Sequence, residues 1–303
     1  MIVRWGLAEL PGVLEDLAIE RPLLVASLRW DALAIPAAAR WSEIPSHRVA
    51  VPGGVDGMLA VGGGSAIDTA KSASAASALP LVSVPTTYSG AEWTPFFGVR
   101  SPDRRHVGGG SGARLAGIVY DPELTLDLPR AESGGTALNA LAHCVEALYP
   151  GELEEARRGA AGIDEWLPRV LDDGADLEGR THLLEAASDA GRALAAHGLY
   201  LGHAMAQALG GRYGLPHGAM NAICLPPAMR FNAPVAPWAM TTVPVERAEE
   251  LARLDGFERL RDFGVPEAKL EDVAAAAAAR PGAQANPRPA SPAEIAELFR
   301  SVW

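Results

Sequence analysis

Three histidines stand at spacings that can build a reactive site. Asn139-Ala-Leu-Ala-His143 and His203-Ala-Met-Ala-Gln207 each set two polar side chains four residues apart in Ala- and Leu-rich surroundings. Residues at i and i+4 of a helix share a face. His217 follows Pro216 after a turn marked by Gly214, so it is expected to enter from a loop. Three imidazoles and a side-chain oxygen suit a borderline divalent ion such as zinc or ferrous iron. The same spacings also occur in helices whose histidines are only packed and hydrogen-bonded. A second candidate is Gly62-Gly63-Gly64-Ser65, between an apolar run and a helical pattern. Glycines let a ligand approach the backbone, and the free N–H groups and dipole of a helix N-terminus favour an anion. The expected guest is a pyrophosphate, against the alternative of a tight turn that binds nothing. Thr86 and Thr87 close the next apolar run and would offer hydroxyls at the same sheet edge. No GxGxxG fingerprint follows the first strand. Ser27 and Arg29 stand where an acidic residue would accept the ribose hydroxyls of NAD, which tilts the expectation towards NADP, although a surface arginine explains Arg29 equally.

The elements needed to position these groups are legible as a change of texture. Leu10, Val13, Leu14 and Leu17 fall at i, i+3, i+4 and i+7, a helix over residues 8–18. Short apolar runs at 22–27, 57–61, 81–85 and 118–120 read as buried parallel strands, each closing on glycine or small polar residues. Residues 30–50 resist assignment, with Pro36 and Pro45 as breakers. Ser65-Ala-Ile-Asp68 has the form of a capping box and predicts a helix to about Ala78. From about Gly134 helical periodicity dominates, and Ser291-Pro-Ala-Glu294 predicts a capped final helix. The expectation is an α/β dinucleotide-binding domain with a parallel sheet over residues 1–131 and an all-α domain over 132–303.

Bulk properties narrow the class. The 303 residues are 49% hydrophobic and 21% charged, with a net charge of −11, which argues against nucleic acid or an anionic membrane as partner. Two cysteines, Cys144 and Cys224, imply no disulfide framework and favour a reducing compartment. Without a signal-peptide pattern or an apolar run of roughly 18 residues, the expected location is the cytoplasm.

The stretches GGGSAIDTAK (62–71), PTTYSGAEWTP (85–95), IVYDPELTLDLP (118–129), NALAHCVEALYP (139–150) and His203 through Pro226, with NPRP at 286–289, resemble the iron-containing alcohol dehydrogenase superfamily. Within it they are most similar to the maleylacetate reductases. That resemblance implies the dehydroquinate synthase-like fold, with a cleft between the domains where a nicotinamide passes hydride to a carbonyl. Carried across by position, the family's metal ligands fall on Asn139, His143, His203 and His217. The cofactor contacts fall on Gly63, Gly64, Ser65, Asp68, Thr86 and Thr87, beside Gly62. There are departures. Gln207 and Asn221 stand where relatives carry histidines, and regions 30–55 and 150–178 are short. Asn139, where the wider alcohol dehydrogenases usually carry aspartate, is instead part of the likeness to maleylacetate reductases.

The implied activity is an NAD(P)H-dependent reduction of a small carbonyl or oxo acid. A metal on the histidines would stabilise the developing alkoxide; a metal-free version would use the three imidazoles as hydrogen-bond donors. His143, His203, His217, Gln207 and Tyr88 are the candidate catalytic residues, the proton coming from His143, His203, Tyr88 or water. Arg105 and Arg114 are candidate receivers of a substrate carboxylate. The alternatives are a non-redox lyase or cyclase, or a nucleotide-binding pseudoenzyme. Cys144 is expected in the core, His47, His106, His182 and His197 have no partner spacing, and the family implies a homodimer.

Overall fold

The structure, a computed structural model, describes residues 1–102 and 106–303. Its contacts divide the chain into two compact units, Met1–Leu126 and Asp127–Trp303. The first contains β1 (Ile2–Trp5), α1 (Leu10–Asp16), β2 (Pro22–Ala26), β3 (Ala39–Trp41), β4 (Gly57–Gly62), α2 (Gly64–Ser77), β5 (Pro80–Pro85), β6 (Phe97–Arg100), β7 (His106–Gly110) and β8 (Arg114–Tyr120). Six strands form one sheet in the order β1-β8-β5-β4-β2-β3, every pairing parallel. The apolar runs make this possible because both faces are covered. Leu24, Leu59, Val61 and Val82 pack with Leu10, Val13 and Leu14 of α1. Their alternating neighbours Leu23, Val25, Met58 and Leu81 pack with Ile67 and Ala70 of α2 on the other face. Parallel register pairs Gly62 with Pro85, so the glycine turn and the threonine loop leave the sheet at the same edge.

The sequence reading differs from the fold in short elements. The edge strands β1 and β3 contribute four and three residues, too few to show a period. β6 and β7 form a separate antiparallel pair that was not anticipated. The capping box at Ser65 is not formed. Helix α2 begins two residues earlier, Gly63 is its N-cap, and no side chain caps it.

The second unit contains α3 (Arg130–Ala147), α4 (Glu154–Asp172), α5 (Leu177–His197), α6 (Leu201–Tyr213), α7 (His217–Asn232), α8 (Pro237–Thr242), α9 (Val245–Leu254), α10 (Leu270–Ala278), α11 (Pro281–Gln284) and α12 (Pro292–Ser301). Helix α3 is its centre. Every residue from Ser133 to Ala147 except Thr136 is buried, as befits a helix covered on all sides by α4, α5 and α7. The capping box of Ser291 and Glu294 is present on α12 as expected. No helix among the described residues is long and apolar enough to cross a membrane.

Candidate active site

The helical unit brings the three histidines together. Asn139 and His143 lie mid-way along α3, and His203 is the third residue of α6. His217 is not on a loop: it is the first residue of α7, with Pro216 as N-cap. Proline's fixed φ and the residue preference it imposes make that a natural helix entry. The His143 and His203 rings stack at 4.7 Å between centroids, 12° apart, and His217 lies 6.0 Å from His203. Buried amides tie the rings together. Asn139 Nδ2 donates to His143 Nε2 at 3.4 Å. Asn221 Nδ2 donates to Asn139 Oδ1 at 2.7 Å and to His217 Nε2 at 3.0 Å. Burial, and then the positive charge available to His203 and His217, push the His143 pKa well below its usual value, so this ring is neutral.

One residue that sequence reasoning missed organises His203. Glu146, fully buried one turn after His143, accepts from His203 Nδ1 at 2.8 Å and from the Tyr200 backbone at 2.6 Å through Oε2. Its Oε1 accepts from the His203 backbone at 3.1 Å. A carboxylate only accepts, so His203 carries its hydrogen on Nδ1 and turns Nε2 outward from the dyad. That Nε2 is buried and without a partner, as are His143 Nδ1 and Asn221 Oδ1. A glutamate inside the apolar run Cys144-Val-Glu-Ala-Leu148 was the available signal, because an uncompensated carboxylate there would be costly.

These side chains do not fit the expected ion. A metal lies in the plane of each imidazole that binds it, and two stacked, nearly parallel rings have no common in-plane point near their nitrogens. Asn139 Oδ1 and His217 Nε2 already accept hydrogen bonds from Asn221. Among the described residues no group of three His, Cys, Asp or Glu side chains is placed to share an ion. In this structure Asn139, His143, His203 and His217 form a hydrogen-bonded imidazole–amide cluster. Gln207 is also engaged: its Oε1 accepts from Arg280 at 3.3 Å.

In the α/β unit the glycine turn suits a phosphate. Gly62 has φ +145, and a Cβ on Gly63 would stand 2.7 Å from Thr87 Cγ2, so both positions require glycine. The start of α2 carries no capping side chain, and Thr87 Oγ1, buried beside Gly63, has no partner. An uncapped helix start, a backbone stripped of side chains and a spare hydroxyl fit a dinucleotide's pyrophosphate. Asp68 accepts from Lys71 Nζ and from Gly98 N, each at 3.2 Å, although burial raises its pKa. Tyr88 is fully buried, with its hydroxyl 3.4 Å from Thr125 Oγ1.

Other expectations resolve simply. Arg105 lies outside the described residues. Arg114 is exposed at the N-terminal end of β8, opposite the edge that carries the glycine turn, so it is no receiver for a ligand bound at that edge. Cys144 is fully buried in the core and burial drives its thiol pKa upward. His182 pairs with Glu185 and stacks on Trp166.

Among known proteins the chain sits with the NAD(P)-dependent oxidoreductases. Models described as "Iron-containing alcohol dehydrogenase" and "Fe-containing alcohol dehydrogenase family, C-terminal" match residues 47–120 and 134–254. The chain belongs to the iron-containing alcohol dehydrogenase family. A maleylacetate reductase from Pseudomonas sp. is 34% identical over 264 residues, covering 82% of this chain and 74% of the relative. A second, from Pseudomonas knackmussii, is 32% identical over 300 residues, covering 88% and 85%. Two solved structures share the fold over 100% of this chain. The iron-containing alcohol dehydrogenase of Corynebacterium glutamicum has TM-score 0.89 and 28% identity over 94% of its length. The maleylacetate reductase of Agrobacterium tumefaciens has TM-score 0.86 and 26% identity over 95%. The parallel α/β unit and helical unit expected from the sequence are thus the family's fold.

Proposed function

We propose that the chain is an NAD(P)H-dependent reductase of a small oxo acid, acting as its maleylacetate reductase relatives are named. The observation that carries the chemistry is the Glu146–His203 dyad, which fixes one imidazole tautomer and leaves Nε2 as the unpartnered reactive atom. When bound, the reduced nicotinamide supplies the hydride. Gly62, Gly63, Gly64 and Ser65 at the start of α2, with Thr86 and Thr87, hold its pyrophosphate. His203, protonated, presents Nε2–H to the substrate carbonyl oxygen and gives up that proton as the oxygen gains charge. Glu146 holds the Nδ1–H throughout and steadies the ring while it is charged. Neutral His143 stacks on His203 without adding a second charge, and Asn139, Asn221 and His217 keep that stack in place. No step uses a metal.

Both cysteines are buried free thiols, which supports a reducing compartment such as the cytoplasm, and we extend the family's common homodimer to this chain. A non-redox lyase or cyclase and a turnover-free nucleotide binder are not favoured, because relatives covering most of the chain are reductases. The test is oxidation of NADH and of NADPH by purified protein with maleylacetate, before and after exhaustive chelation. Turnover that survives chelation and is lost in His203→Ala supports the proposal. Absence of turnover with either cofactor sinks it.

A further inference from the structure

Arg280 joins α10 to α11 and is set against α6, the helix of His203. Pro281 opens α11, and a Cβ on Gly282 would stand 2.8 Å from the Tyr200 carbonyl oxygen and 3.0 Å from that of Leu199. Glycine at 282 therefore brings this turn against the entry of α6. Gly211 makes room on the helix itself, where a Cβ would lie 3.4 Å from Arg280 Nη2. Nη1 donates to Gln207 Oε1 at 3.3 Å and Nη2 to the Gln207 carbonyl at 3.0 Å. Gln207 follows His203 by one turn, about 6 Å along the axis and on the same face.

Two features mark this guanidinium as incomplete. Its Nε is buried without a partner, and among the described residues no carboxylate pairs with it. The chain has 37 acidic residues against 26 basic ones, so carboxylates are plentiful. Arg158, Arg169, Arg230 and Arg300 hold them at 3.0, 2.8, 2.6 and 2.9 Å. Arg280, more deeply placed, contacts only neutral oxygens. Burial lowers its pKa with no acid to oppose it, yet a guanidinium keeps its charge, so the desolvation cost stands uncompensated in the free protein. An incoming carboxylate would supply the missing counter-charge, and the planar fork of arginine matches its two oxygens.

We propose that Arg280, held by Gln207, anchors a carboxylate of the substrate one helical turn from His203. The residue thereby selects short-chain oxo acids over neutral ketones and aldehydes. The assignment rests on the reductase reading above and deepens it. It also gives Gln207 a purpose, since its side-chain oxygen orients the guanidinium rather than the reacting carbonyl.

The test compares the wild type with Arg280→Met and Arg280→Lys, using maleylacetate and its uncharged dimethyl ester under saturating reduced cofactor. Arg280→Met is expected to raise KM for the acid about 10- to 100-fold, the usual loss for a charged hydrogen-bond pair, and to leave the ester's KM unchanged. An unchanged KM for the acid overturns the anchor. If circular dichroism shows Arg280→Met misfolded, Arg280→Lys decides, because it keeps the charge without the fork. A rise of about fivefold or more supports the proposal and no rise overturns it. Failure of the reductase reading shows separately, as a wild type inert towards both substrates. Protection of that wild type from thermal unfolding by maleate, lost in Arg280→Lys, then supports the anchor; no protection overturns it.

Discussion

The cluster around Lys71 in the α/β unit and the cluster around His203 in the helical unit are both buried, charged and hydrogen-bonded, yet they are finished to different degrees. Lys71 has three donor hydrogens and three acceptors: Asp68 Oδ1 at 3.2 Å, Thr94 Oγ1 at 3.3 Å and Phe96 O at 3.0 Å. Nothing on its ammonium is left over. Around His203 the backbone side is complete, because Glu146 takes three hydrogen bonds, while Nε2, His143 Nδ1 and Asn221 Oδ1 are left without partners. Buried polar atoms are nearly always satisfied, so a group of orphans in one place has a reason. A closed cluster contributes to folding. An open one is shaped for a visitor. Substitutions should therefore divide: those around Lys71 act on stability, and those around His203 act on turnover.

The largest effect is expected at His203. Replacing it with alanine removes the proton donor, and kcat should fall by about 10²–10⁴. The same change takes the Nδ1–H from buried Glu146, so about 1–3 kcal/mol of stability should go with it. Urea titration alongside the kinetic assay gives the folded fraction, so that kcat is read per folded molecule. A kcat per folded molecule close to that of the wild type would erase the distinction between the clusters.

Lys71→Met supplies the opposite pattern. It leaves Thr94 and the Phe96 carbonyl short of a donor and strips Asp68 of its partner, whose own carboxylate is already raised by burial. Breaking a buried ion pair costs about 3–5 kcal/mol, and the partial exposure of Asp68 (29%) puts the expectation near 3. Turnover per folded molecule should be conserved within about threefold, less than 1 kcal/mol of transition-state energy. A large fall in kcat with intact stability would show Lys71 to be part of the chemistry.

Glu146 sits on both sides of the division, and Glu146→Gln shows which dominates. Glutamine has one accepting oxygen where the carboxylate uses two, so one of the N–H groups of Tyr200 or His203 loses its acceptor. About 1–3 kcal/mol of stability should go with it. The amide also no longer balances charge on the ring. A fall in kcat of about 100-fold at nearly constant KM is expected, below the ~10⁴ seen when the carboxylate of a Ser-His-Asp triad is neutralised. NMR of the His203 ring nitrogens supplies the separate readout, since a purely structural role would leave the Nδ1–H tautomer in place.

How much of this the sequence could reveal depends on whether the partners are local. Strands β2, β4 and β5 were readable because each is an unbroken apolar run, and the Asn139–His143 pair because both residues share one helix. The glycine turn was readable too, but its mechanics were misassigned. Ser65 has the right neighbours for a capping box, yet the freedom of Gly63 lets the helix start two residues earlier with no side-chain cap. Pro216 marks a break that reads as a loop at His217, and the packing of α3 on α7 accompanies its start of a helix instead. Asn221 and Glu146 act across 82 and 57 residues of chain, and Arg280 meets Gln207 across 73. No periodicity reports such distances.

The smallest effect comes from a third case, which sets a limit on reading openness as function. Asp255 ends α9 with its side chain 2% exposed, 3.6 Å from Arg130, and its Oδ2 is without a partner. Burial pushes its carboxyl up to about 6 while Arg130 opposes the rise. The native state thus holds this proton more tightly than the unfolded chain, whose value is near 3.8. The associated stability is fully present below about pH 4 and is lost as pH rises through about 6. Two pKa units would correspond to about 3 kcal/mol, and solvent near the α9 terminus reduces this to about 1–2. Asp255→Asn cannot titrate, so its unfolding free energy relative to the wild type should rise by that amount between about pH 4 and pH 7.5, as denaturant titrations at each pH would show. Its kcat should be that of the wild type, because a lone orphan oxygen with no neighbouring orphans has nothing to bind. If kcat instead changed with Asp255, the line between the two clusters would have to be drawn on charge rather than on completeness.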